Sequence, residues 1–62
     1  MLKFNKGAKY WYCNKHSIWE QIKFLDTMTN VVSKRVYYKF LTNRSKELIL
    51  TEKQIAAYMN NP

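Results

Sequence analysis

Val31-Val32-Ser33-Lys34-Arg35-Val36-Tyr37-Tyr38-Lys39-Phe40-Leu41 is the most strand-like segment of the chain. Three valines and three aromatic residues crowd into it, and a helix would absorb that density at about 0.3–0.7 kcal/mol per residue relative to alanine. On a strand the same residues suit a pleated, half-buried surface. Side chains alternate across a strand, so Val36, Tyr38 and Phe40 share one face and Arg35, Tyr37 and Lys39 the other. Residues 31–41 are therefore expected to form a strand with an apolar side and a basic, aromatic side.

Working outward, Thr42-Asn43-Arg44-Ser45 is a polar turn and residues 47–50 return as a short strand, making a hairpin. Thr51-Glu52-Lys53-Gln54 then has the spacing of a capping box, in which the threonine hydroxyl and the glutamine side chain serve otherwise unpaired amides. Leu50 before the cap and Ile55 four places after it form a hydrophobic staple, and Glu52 suits the positive end of the helix dipole. Ile55, Tyr58 and Met59 supply the apolar stripe of this helix, and Asn60-Asn61-Pro62 ends it.

Upstream, residues 8–13 alternate as a strand with Tyr10 and Tyr12 on one side and Lys9, Trp11 and Cys13 on the other. Asn14-Lys15-His16-Ser17 reads as a turn. Residues 17–28 carry two patterns. Ser17-Ile18-Trp19-Glu20 has capping-box spacing, with Ile18, Ile22 and Leu25 at helical intervals, whereas Ile22 and Phe24 alternate with Gln21 and Lys23. A strand over residues 19–25 is preferred because its neighbours need a sheet to join, with residues 26–30 as the following turn. Residues 1–6 are polar and expected to be loose. The whole is one α+β, mainly β domain: a curled antiparallel sheet, or an SH3-like barrel, of about four strands with a C-terminal helix. Tyr10, Tyr12, Val36, Tyr38 and Phe40 are its expected core.

Size and charge bound what such a domain can be. A chain of 62 residues buries only about 60% of its unfolded surface. Cys13 is its single cysteine, which rules out an internal disulfide and fits a reducing, cytoplasmic setting. Aromatic bulk has to do the work, at about 150–250 Å² buried per large ring. No apolar stretch approaches the ~20 residues of a membrane helix, and the first residues lack the apolar run of a signal peptide. Asn43-Arg44-Ser45 matches a glycosylation acceptor but is read as a turn.

Eleven Lys and Arg against four acids give a formal charge of +7. Residues 1–17 hold four lysines and no acid, and residues 30–46 hold five basic residues and no acid. Segregation of this kind can make a positive face that attracts nucleic acid or an acidic protein surface. Basic residues also interleave with rings in Lys9-Tyr10-Trp11-Tyr12 and Arg35-Val36-Tyr37-Tyr38-Lys39, expected on adjacent strands. Lys9, Trp11, Lys34, Arg35, Tyr37, Lys39, Arg44 and Lys46 are accordingly the candidate binding residues, with rings for stacking and cations for phosphates.

Catalysis has little to work with. Cys13-x-x-His16 has metal-ligand spacing, but a structural zinc needs four ligands and no second pair exists. One glycine cannot make a phosphate loop. Glu20 and Asp26 would share a strand face about 20 Å apart, too far for paired acid–base work. No enzyme activity, cofactor, metal or small-molecule substrate is expected.

The order Gly7-x-x-Tyr10, Ile22-x-x-Leu25-Asp26, Val36-Tyr37-Tyr38-Lys39-Phe40-Leu41 and Leu48-x-Leu50-Thr51-Glu52 resembles small SH3-like barrels of the type carried by phages and mobile elements. The resemblance implies a fold and a setting in a host cytoplasm, and it transfers no functional residue. Residues 50–59 also resemble the first helix of a helix-turn-helix. A recognition helix would have to follow Pro62, so the likeness is expected to be accidental, the alternative being that this sequence is part of a longer chain. Two functions follow as expectations: a basic accessory protein binding nucleic acid, or a small inhibitor or adaptor docking on a larger protein.

Overall fold

A computed structural model describes residues 3–59. Four antiparallel strands, β1 (Lys9–Cys13), β2 (Trp19–Thr29), β3 (Val36–Thr42) and β4 (Glu47–Thr51), lie in the order β1-β2-β3-β4, and α1 (Glu52–Tyr58) follows directly. The sheet is curled and unclosed, so of the two expected architectures the open sheet is the observed one. β1 and β4 are its edges. Each connection is a hairpin, so every strand pairs with its neighbour in sequence.

The two turns at one end share a design. Asn14 N–H donates to the Ile18 carbonyl and Ser17 N–H to that of Asn14, while Thr42 N–H donates to Lys46 and Ser45 N–H to Thr42. Ser17 and Ser45 both have φ near +60°. A three-residue hairpin loop needs one left-handed residue in that place. The Asn14 and Thr42 side chains accept further loop amides, which explains why these polar stretches turn where they do.

The third turn departs from expectation. β2 runs on to Thr29 where a turn over residues 26–30 was expected, and β3 begins at Val36 where a strand from Val31 was expected. Asn30 is the reason. Its Oδ1 accepts the N–H groups of Val32 and Ser33, its carbonyl accepts that of Lys34 at 2.7 Å, and its own N–H donates to Arg35. These local bonds serve the amides of Val32, Ser33 and Lys34 without a ladder. Val31 and Val32, β-formers by propensity, stand 85% and 91% exposed.

A bulge sits between Phe24 and Asp26 in β2. Before it, Ile22 and Phe24 face the core; after it, Thr27 and Thr29 do, opposite Tyr38 and Val36. One extra residue reverses the facing of everything that follows. Asp26 is thereby carried to the outer face opposite Lys39 instead of into the core.

The concave face holds the core: Ile22, Phe24, Tyr38, Phe40, Leu50 and Ile55, with Tyr10, Tyr12, Val36, Leu48 and Met59 half-buried against it. All five residues expected inside are there, Tyr38 and Phe40 completely. Leu50 and Ile55 both enter the cluster, as the staple requires. The capping box is complete, with Gln54 N–H donating to the Thr51 hydroxyl and Thr51 N–H to the Gln54 side chain. Asn60-Asn61-Pro62, the expected helix stop, lies outside the described residues.

Phe4 corrects the expectation of a loose start. Its ring centroid lies 4.9 Å from Tyr10, 5.4 Å from Phe24 and Phe40, and 5.6 Å from Tyr38. Three of those contacts are edge-to-face, the arrangement favoured by the ring quadrupole. Gly7, at φ +81°, turns the chain so that its N–H reaches the Phe24 carbonyl, and Asn5 N–H donates to the Tyr10 hydroxyl. A half-buried phenylalanine in this place should contribute somewhat less than the ~3–5 kcal/mol of a fully buried one. Phe4→Ala is therefore expected to cost about 2–3 kcal/mol, a large part of the stability of so small a domain. A urea unfolding midpoint equal to the wild type would contradict this account of the core.

Candidate nucleic-acid interface

The outer face is what the core leaves over. On β1 and β2 the pairs Lys9–Lys23, Trp11–Gln21 and Cys13–Trp19 face outward. The bonds Phe24 N–H to Ala8 and Asn14 N–H to Ile18 place the hydrogen-bonded pairs at 8/24 and 14/18. The outward pairs alternate with these and are non-hydrogen-bonded, the class in which side chains approach most closely. Trp11 and Trp19 are diagonal neighbours, within reach of one another across the two strands. They stand 41% and 43% exposed, so both rings are presented to solvent.

β3 reaches only as far as Thr42, which pairs with Ile22. The end of the β1–β2 hairpin therefore projects beyond the β3–β4 turn, and the step between them is an open groove of about 740 Å³. Trp11 and Trp19 line one side, Lys15 and His16 the tip, and Arg44 and Lys46 the facing turn. A second depression, lined by Lys9, Lys23, Leu41 and Ser45, continues it along the face and shares Gln21, Thr42 and Asn43 with it. The volume is that of a ligand cleft, and the trough is open, lined by rings and an isoleucine as well as by charged side chains.

Charge along the trough is predominantly positive. Of the outward acids, Glu47 is bound to Lys39 at 3.1 Å and Asp26 to Lys6 at 3.7 Å. Glu20, the carboxylate that lines the groove, accepts a 2.7 Å bond from the Asn14 side-chain amide. Among the described residues Lys9, Lys15, Lys23, Arg44 and Lys46 make no ion pair. Five cations without ion-pair partners thus lie beside two exposed indoles.

The expected site residues divide. Lys9, Trp11, Arg44 and Lys46 come together along this trough. Lys34 and Arg35 lie in the β2–β3 loop at the opposite end of the sheet, and Tyr37, half-buried between Met28 and Thr51, lies near them. Lys39 is tied to Glu47. The two basic-aromatic segments are not on adjacent strands, because β2 separates β1 from β3. Trp19, Lys15, His16 and Lys23 join the site without having been expected there. The signal for Trp19 was available: a three-residue loop closed by residues 14 and 18 puts 13 opposite 19 and 11 opposite 21.

Other candidate chemistry does not assemble. Glu20 faces the core side beside Tyr12 whereas Asp26 faces outward, so the bulge separates carboxylates that strict alternation would align. Among the described residues no three of His, Cys, Asp and Glu gather, and no helix is long and apolar enough to cross a membrane. Comparison with protein-family models, with curated proteins and with solved structures found no match.

The titration of Tyr12 is displaced upward. Burial raises its pKa, with the nearby Glu20 carboxylate adding to the effect. The neutral phenol is thus favoured by folding, and its contribution to stability is whole below the ordinary tyrosine value of about 10. It is lost as pH rises through the higher folded value. In a pH titration by NMR or ultraviolet absorbance, Tyr12 is expected to ionise above a free tyrosine, and Glu20→Gln to shift it back part of the way. An unshifted Tyr12 would contradict the packing described.

Proposed function

We propose that this chain is a non-enzymatic module that binds single-stranded nucleic acid along the trough between its β1–β2 hairpin and its β3–β4 turn. The observation that carries the reading is the exposed pair Trp11 and Trp19 set among five cations that have no acidic partner. Indole faces accept any base, at about 1–3 kcal/mol per stacked base, and the cations take the backbone. A duplex hides its base faces and is bound more weakly here. The setting proposed is that of an accessory protein of phage or mobile-element type in the host cytoplasm.

A second reading, a small inhibitor or adaptor docking on a larger protein, draws on Ile18. It stands exposed beside the tryptophans and gives the hairpin tip an apolar anchor. The two readings separate experimentally. A partner recovered in constant ratio after nuclease treatment would favour the second.

Both tryptophans of the chain lie in the trough, so intrinsic fluorescence reports its occupancy directly. Titration with a thymidylate oligonucleotide at low salt is expected to quench that emission. Trp11→Ala should weaken binding by about 5–150-fold, the equivalent of one stacked base. With five cations available, log affinity should fall with log salt at a slope of up to about 3.5. Absence of quenching at low salt, for both DNA and RNA oligonucleotides, would remove the proposal.

A further inference from the structure

Resting on that reading, we infer that Lys9 and Lys23 form a seat for one backbone phosphate next to the base stacked on the tryptophans. The two lysines are cross-strand partners in a non-hydrogen-bonded pair. Like charges directly opposite one another destabilise a sheet, and this is the pairing in which they lie closest. Among the described residues neither lysine makes an ion pair. The row continues through Leu41 to Glu47, and Glu47 is held by Lys39. Asp26 is held by Lys6. A sheet that keeps two lysines opposed, with its nearby acids turned to other partners, keeps a place for an anion.

Position makes that anion a phosphate of the bound strand. Lys9 stands two residues from Trp11 on β1, and Lys23 two residues from Gln21, the partner of Trp11 on β2. Two residues along a strand span about 7 Å, a short reach from a stacked base to its own backbone. The lysine depression and the tryptophan groove are also continuous through Gln21, Thr42 and Asn43. The site thus recognises a nucleotide, ring and charge together, and not a base alone. A polyanion without bases would meet the lysines but leave the indoles bare.

The test uses oligothymidylates in which a single neutral methylphosphonate linkage is moved along the strand, bound to the full chain. For the wild type, one position of the neutral linkage should weaken binding about 5–10-fold more than the others. In Lys9→Gln/Lys23→Gln that dependence on position should vanish, and the salt slope should fall by about 0.7, the value for one neutralised phosphate on a single strand. Thermal unfolding serves as the folding control, and the double variant should melt at or above the wild type because a repulsion is removed. Should it melt lower, Lys23→Glu provides the same loss of the seat with an attractive cross-strand pair in its place. If the wild type binds oligonucleotides and neither variant changes the slope or the positional effect, the phosphate seat is wrong while the proposed function stands. If the wild type binds no oligonucleotide, the proposed function itself has failed.

Discussion

Edge-to-face packing of aromatic rings on the concave side of the sheet is the interaction on which this molecule depends. A four-stranded sheet with a seven-residue helix has little material to cover its apolar face. α1 and its C-cap deliver Ile55 and Met59 to one part of the cluster, and Phe4 covers another by contacting four rings at once. Aromatic pairs add about 0.5–1.5 kcal/mol each beyond the area they bury. With neither disulfide nor second sheet, that increment matters more here than in a larger domain.

Using the concave face for structure leaves the convex face to solvent-exposed rings and charges. Strand alternation makes the division sharp. Tyr10 and Tyr12 turn inward to the cluster, and Lys9, Trp11 and Cys13 therefore turn outward. The β2 bulge extends the division by delivering Asp26 to the outer face, where Lys6 and Lys39 are near. A carboxylate left on the core face there would have met Tyr38, at a desolvation cost that folding would have had to offset.

The convex face is not uniformly basic. Lys6 and Lys39 are neutralised locally, and Lys34 and Arg35 sit on a far loop. What remains concentrated is the end where two hairpins stop at different heights. The step arises because the β3–β4 turn closes at Thr42 while β1 and β2 continue, so a difference in hairpin length makes the trough. Its walls are two turns of the same three-residue type, each pinned by side-chain and backbone bonds to its own loop.

Much of the fold was legible in the residues because the deciding signals are local. Alternation in residues 8–13 and 36–41 assigns each side chain to a face, and the Thr51 capping box starts the helix where it begins, since both depend on a few neighbouring positions. Other features depended on contacts that no short window contains. The valines at 31 and 32 look like strand, but hydrogen bonds to Asn30 compete with the ladder and win. Phe4 lies in a polar stretch, and only the curl of the sheet supplies rings for it to meet. For the candidate face, the sequence showed that rings and cations alternate, and of the residues it made candidates Lys9, Trp11, Arg44 and Lys46 lie together along the trough. Which of them act together was decided by strand order and hairpin length, since β2 stands between the two basic segments and brings Trp19 and Lys23 to the first of them. Charge adds up along a chain, but a surface exists only once register sets which charges are neighbours and which are already paired.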